Sequence, residues 1–384
     1  MSYLNEKYKK QLVETFIKLV KIPSPSTQEG EFAKCIANDL KKLGCSVYFD
    51  NAGKKIGGNC GNLIAKLKGS INSKPILLCA HMDTVEPCKN IKPKVGGKII
   101  KPAGKTILGG DCKAGIAIIM QTLRILKEQK LKHPPIEIVL TVAEELGMQG
   151  SKNLDYKKLK SKCGIILDNE NVSSVDVKSP KAVIAEIEIK GKASHSGVAP
   201  EKGISAIKIA SHAIERLKLG KIDSETVCNI NMMQAGTAVN TIAPNAILKG
   251  DIRSHNISKL NKQIELLKTA FKKACKAYAK KIDGKMVTPK FKMKITTAMN
   301  RLKISENSLI VKHLKNAYKK NGVKLKLTST ASGSDANILC GYGILAPNTG
   351  CGTRKMHTTD EYLVLDEFYK CAEIVLDTVI SFRD

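Results

Sequence analysis

The segment Ile76-Leu77-Leu78-Cys79-Ala80-His81-Met82-Asp83-Thr84-Val85 decides the fold. Its first five residues are apolar without alternation, the pattern of a strand buried on both faces, as in a parallel sheet covered by helices. The run stops at His81, and Asp83 follows two residues on. In open α/β sheets ligands collect at the carboxyl ends of strands. An imidazole there can face a site, and Asp83 can accept a hydrogen bond from its second ring nitrogen. A His-x-Asp pair alone equally describes a hydrogen-bonded histidine at a strand edge, so the rest of the chain has to separate the two readings.

Two further apolar runs end in the same way. Ile136 to Ala143 is rich in β-branched residues and runs into Glu144-Glu145. Gly164 to Leu167 stops at Asp168. Histidine, glutamate and aspartate are zinc-binding side chains. Adjacent carboxylates leaving a strand point to different sides, so one can bind a metal while its neighbour serves as a base. Gly109-Gly110-Asp111-Cys112-Lys113-Ala114-Gly115 precedes a helix expected over Ile116 to Glu128. Its glycines let the backbone turn sharply and set Asp111 at the helix mouth, where the plainer reading of an aspartate is an N-cap. His357 closes the glycine-containing loop that starts at Gly350 and completes a His, Asp, Glu, Asp, His set.

The order of elements places these residues in one domain. The helix Ile116 to Glu128, the strand Ile136 to Ala143, a helix after Gly150 and the strand Gly164 to Leu167 alternate as βαβ units do. From Lys181 the texture changes: Val183 to Ile189 alternates apolar and charged residues, the mark of a sheet with one wet face. The expected fold is α/β, with residues 1–178 and 297–384 around a central mixed, largely parallel sheet between helices. Residues 179–296 form an inserted α+β unit.

Bulk composition narrows the function classes. A chain of 384 residues that is 42% hydrophobic buries real cores. The net charge of +29 comes almost wholly from lysine, with arginine only at Arg124, Arg216, Arg253, Arg301, Arg354 and Arg383. The lysines are dispersed and aromatics amount to 4%, so stacking platforms are scarce and no nucleic-acid partner is expected. No apolar run approaches the ~18 residues of a membrane span, and the N-terminal segment lacks an apolar core. The twelve cysteines are scattered without a Cys-x-x-Cys pair, as reduced thiols are. The expected location is cytoplasmic, away from membranes.

With these residues in place, the sequence resembles the co-catalytic di-zinc peptidase superfamily that contains peptidase T, carboxypeptidase G, acetylornithine deacetylase and succinyl-diaminopimelate desuccinylase. The resemblance runs from the N-terminal helix to the His357 loop. It implies two zinc ions per chain, in sites that also suit cobalt or manganese. His81, Asp111 and Asp168 would bind one ion and Asp111, Glu145 and His357 the other, with Asp111 bridging. It further implies that Asp83 holds the His81 tautomer, that Glu144 is the general base and that the Asp111–Cys112 peptide is cis. The inserted unit becomes a lid and dimerisation domain, from which His195 reaches across a homodimer to the substrate carbonyl. Asn240 and Arg253 match lid positions that contact substrate. Ser332-Gly-Ser-Asp-Ala-Asn337, His357-Thr-Thr-Asp-Glu361 and Ile22-Pro-Ser-Pro-Ser26 are most similar to the peptidase T-like branch, which implies removal of the N-terminal residue from tripeptides or other short peptides. The loop Gly350 to Met356 departs from peptidase T. A carboxypeptidase or N-acyl amino acid deacylase on the same scaffold is the enzymatic alternative. A basic nucleic-acid-binding protein with a relict site is the non-enzymatic one.

Overall fold

The computed structural model describes residues 3–383. The chain forms two compact units. One extends from the N-terminal helix to Ser179 and resumes at Leu302; the other is Pro180–Arg301. The boundary expected at residue 296 falls inside the strand Lys290–Met299, which pairs with Lys181–Lys190 over its length and so stays with the second unit.

The first unit is built on a nine-stranded mixed sheet. At its centre Ile76–His81 runs parallel to Ile136–Thr141 on one side and to Gly164–Asn169 on the other. All six residues of each of the first two strands are buried, as unalternating apolar runs require when helices cover both faces. Asn348–Gly350 extends the parallel part beyond Gly164–Asn169. The flanks are mostly antiparallel: Leu63–Leu67 and Ser46–Phe49 on one side, Ser174–Ser179 and Leu302–Lys303 on the other, where Lys326–Ser329 also pairs in parallel with Ser174–Ser179.

Register decides what this sheet can do. His81 pairs with Thr141, and Cys79 pairs with Ile166. His81 and Asp168 therefore lie level, two residues further along neighbouring strands, with Glu144 and Glu145 just beyond Thr141.

The helix Gly110–Glu128 is buried along most of its length and packs on both Ile76–His81 and Gly164–Asn169. Helices Glu6–Val20 and Leu365–Ser381 pack on it in turn. Phe16 and Phe368, one from each, are wholly buried and meet edge to ring with centroids 5.6 Å apart. Phe16→Ala is expected to destabilise the protein by about 3–5 kcal/mol, read as a lowered denaturant midpoint at unchanged slope. A loss below about 1 kcal/mol would show that this layer collapses around the cavity.

A second, four-stranded antiparallel sheet explains the Lys- and Gly-rich segment after Val85. The hairpin Pro93–Gly96 and Ile99–Pro102 pairs with Tyr362–Val364, which pairs with Thr353–Arg354. The loop joining the last two strands carries His357.

The second unit is a five-stranded antiparallel sheet with helices Ala206–Glu215 and Ile257–Ala277 on one face. Val183, Ala185, Ile187 and Ile189 are buried beneath them, while Ile184 and Glu186 face outward, the alternation that the sequence predicts. Among the described residues no disulfide joins the cysteines. Among the described residues no helix is long and apolar enough to cross a membrane.

Candidate metal centre

His81 is the last residue of its strand, and its ring is buried. Its Nε2 lies 3.1 Å from Asp111 Oδ1 and 3.4 Å from Asp168 Oδ1. On the other side of Asp111, His357 Nε2 lies 3.0 Å from Asp111 Oδ2 and 3.0 Å from Glu145 Oε1. Each Asp111 oxygen thus belongs to a different donor set, His81–Asp111–Asp168 or Asp111–Glu145–His357. Cys112 stands beside the first set, but its thiol donates to Leu167 O.

The local backbone is built to present these groups. Gly109 adopts φ 74° and the Asp111–Cys112 peptide is cis, so regular helix begins only after Cys112. Ala143, just before the glutamate pair, has φ 47°, and His357 itself has φ 63°. Left-handed conformations at non-glycine residues cost of order 1–3 kcal/mol and persist where surrounding structure enforces them.

The donor chemistry fits divalent metal ions. Two ligands bound at ~2.0–2.1 Å around one tetrahedral ion lie roughly 3.3 Å apart, close to the spacings within both sets. Glu145 Oε1 is buried and, despite its approach to His357, has no hydrogen-bond partner. The electrostatics call for positive charge as well. Burial, then the charge of Asp111, pushes the Asp168 carboxyl up to about 8. The hydrogen bond to Asp111 and then the Glu145 carboxylate close by raise His357 to about 10. Burial, followed by the Asp168 charge, drives Glu144 well above the usual carboxylate range. Cations among these carboxylates would relieve that repulsion.

Asp83 meets the second ring nitrogen of His81 chiefly through its main chain. His81 Nδ1 lies 2.9 Å from the main-chain oxygen of Asp83 and 3.4 Å from its carboxylate. That carboxylate accepts from the N–H groups of Glu144 and Glu145 and from Ser26 Oγ. It therefore positions the glutamate pair as well as the imidazole. Asn348 does the same for Asp168, its Oδ1 accepting from Asp168 N–H and its Nδ2 donating to Asp168 O. Sequence reasoning missed Ser26 and Asn348. Glu144 shares an open cavity of about 340 Å³ with both donor sets; Glu170, Asp176 and Ser334 are among its other lining residues.

His195, Asn240 and Arg253 belong to the second unit. Two of them come together, because His195 bridges Thr241 and Ser196 N–H donates to Asn240 O. These loops leave the end of the sheet where Lys190 pairs with Asn245, whereas Arg253 pairs with Ala182 at the opposite end, near Asp251. Strand rise puts Arg253 roughly 27 Å from Asn245. Within one chain, a short peptide cannot touch both ends.

Comparison with known proteins bears on this arrangement. A model of the peptidase dimerisation domain matches residues 181–279, and one of peptidase family M28 matches residues 62–201. The uncharacterized protein YqjE of Bacillus subtilis strain 168 is 36% identical over 368 residues, 96% of this chain and 97% of its own. The crystal structure of aminopeptidase PepT from Bacillus cereus ATCC 10987 is 34% identical with a TM-score of 0.89, covering 97% of this chain and 98% of that one. A tripeptidase from Staphylococcus aureus is 31% identical with a TM-score of 0.88, covering 97% of both. Fold and relatives together define a metallopeptidase. The chain belongs to the M20 peptidase family, in its peptidase T-like branch.

Proposed function

We propose that this metallopeptidase is a di-zinc aminopeptidase that releases the N-terminal residue of short peptides, tripeptides foremost. The observation that carries this reading is Asp111, whose two oxygens each face a separate His–carboxylate set. His81, Asp111 and Asp168 would hold one ion, and Asp111, Glu145 and His357 the other; cobalt or manganese suits the same donors. When bound, the ions polarise the scissile carbonyl and acidify the attacking water. Glu144 accepts that water's proton and delivers it to the departing amine. Asp83 and Ser26 hold the Glu144 backbone in place for both transfers. His195, supplied by a second copy, donates to the developing oxyanion, and Asn240 next to it contacts the same substrate.

The homodimer in this reading is supported by the dimerisation-domain match and by an open strand edge. Gly220–Lys221 pairs only with Val227 and Cys228 of the strand Thr226–Ala235, and Met232, Met233 and Val239 are exposed. Uncovered edges with apolar side chains favour pairing with another chain. The separation of Arg253 from His195 and Asn240 suits two copies contributing to one site. Cysteines that form no disulfide among the described residues suit a cytoplasmic location.

The choice of aminopeptidase over carboxypeptidase or deacylase rests on charge. The cavity lining includes Glu170 and Asp176, which belong to neither donor set, and no lysine or arginine. Carboxylates outside the donor sets, Glu170 foremost, suit the free α-ammonium of a peptide, whereas a terminal carboxylate calls for a cationic partner. Ala-Ala-Ala should be cut at its first bond, and N-acetyl-Ala-Ala-Ala at least ~100-fold more slowly in kcat/KM. Equal rates, or release of the last alanine from the blocked peptide, would favour the alternatives.

A further inference from the structure

We infer that Glu361 is a positioning residue that fastens the loop bearing Asp111 to the loop bearing His357, and so sets the second metal site. The inference rests on the dinuclear reading above. Glu361 is 1% exposed. Its Oε2 accepts from the N–H groups of Leu108 and Gly109, each at 2.8 Å, and its Oε1 accepts from Asp111 N–H at 3.1 Å. Its own N–H donates to Thr358 O, inside the loop that carries His357. One carboxylate thus joins segments 250 positions apart in sequence.

The consequence for Asp111 is geometric. Fixing the peptide N–H of Asp111 fixes the plane from which its side chain departs, and that side chain has to offer one oxygen to each histidine. Metal sites tolerate errors of only about 0.2 Å in ligand distance. His81 and Asp168 are held by the central sheet and need no such clamp. His357 sits in an irregular loop, half exposed, and its approach to Asp111 depends on how the two loops are joined.

Gly110 gives independent access to the same contact. A Cβ there would lie 2.9 Å from Glu361 Oε1 and 2.8 Å from Thr353 Cγ2, so Gly110→Ala displaces the carboxylate without removing it. Glu361→Gln keeps the shape but turns one acceptor into a donor facing main-chain N–H groups.

The test is Zn2+ binding by chelator competition, on the full chain and both variants, with circular dichroism and thermal unfolding of the metal-free forms. Wild type should bind two ions. Both variants should hold the first ion within about 3-fold of wild type and the second about 10–100-fold more weakly, the usual effect of losing a residue that orients a ligand. Wild-type affinity for both ions in either folded variant would overturn the inference. So would equal weakening of both ions, which would put the effect on Asp111 alone and not on its joint with the His357 loop, or collapse of both metal-free variants, which would make Glu361 a general support of the fold. A wild-type chain that binds fewer than two zinc ions overturns the dinuclear reading itself.

Discussion

Glu144→Gln should retain two metal ions per chain and lose roughly 10²–10⁴-fold in kcat, the span that general acid–base transfer contributes. That corresponds to about 3–5.5 kcal/mol of barrier. The two neighbouring glutamates are told apart by their partners. Glu145 Oε1 lies 3.0 Å from His357 Nε2, in ligand spacing, whereas Glu144 faces the cavity beside both donor sets. The substitution spares the loop, because the N–H groups of both residues remain bonded to Asp83. Glutamine fills the same volume and cannot accept the water's proton. Metal analysis alongside kcat on a tripeptide decides the matter: metal lost in proportion to activity would make Glu144 a ligand. The pH profile gives a second reading. Burial raises the Glu144 carboxyl, and a base works only when deprotonated. Wild-type kcat should therefore fall as pH drops through its pKa, and this acid limb should flatten in Glu144→Gln.

How much of this site was legible in the sequence follows from the kind of contact each residue makes. His81, Glu144, Glu145 and Asp168 announce themselves because unbroken apolar runs end abruptly on polar side chains, and a buried strand has few other reasons to end so. What makes them one site is register, with His81 level with Thr141 and Cys79 with Ile166. Register is a property of partners distant in sequence and is invisible in any single strand. His357 stood out by its glycine-containing loop, but what supports that loop was not legible, since Tyr362–Val364 at its end pairs with Ile99–Pro102 across more than two hundred residues. Ser26, Asn348 and Glu361 bond mainly to main-chain groups or to a carboxylate brought in by the fold, and main-chain N–H groups leave no residue pattern to read. The one available signal for Glu361 was its place in His357-Thr-Thr-Asp-Glu361. Arg253 shows the converse. Period-two alternation puts it on the outward face with Asp251, but strand length carries it away from His195 and Asn240.

Asp111→Ala should empty both metal sites at once, where His81→Ala or His357→Ala should weaken chiefly one. The reason is that Asp111 alone belongs to both donor sets, so its removal takes one ligand and one negative charge from each. Turnover of a tripeptide should fall by at least ~10³-fold, about 4 kcal/mol in barrier, and excess Zn2+ should not restore it. The metal-free protein carries a second consequence. Burial alone would raise the Asp111 carboxyl, but hydrogen bonds to His357 and His81 more than offset it and hold it below the usual range. A carboxyl depressed by folding contributes stability above its unfolded pKa and loses it as pH falls. Asp111→Ala should therefore lower the stability of the metal-free chain at neutral pH and make its decline toward acid shallower. If the variant kept one ion at wild-type affinity, Asp111 would serve a single metal, and the two histidines would belong to independent sites.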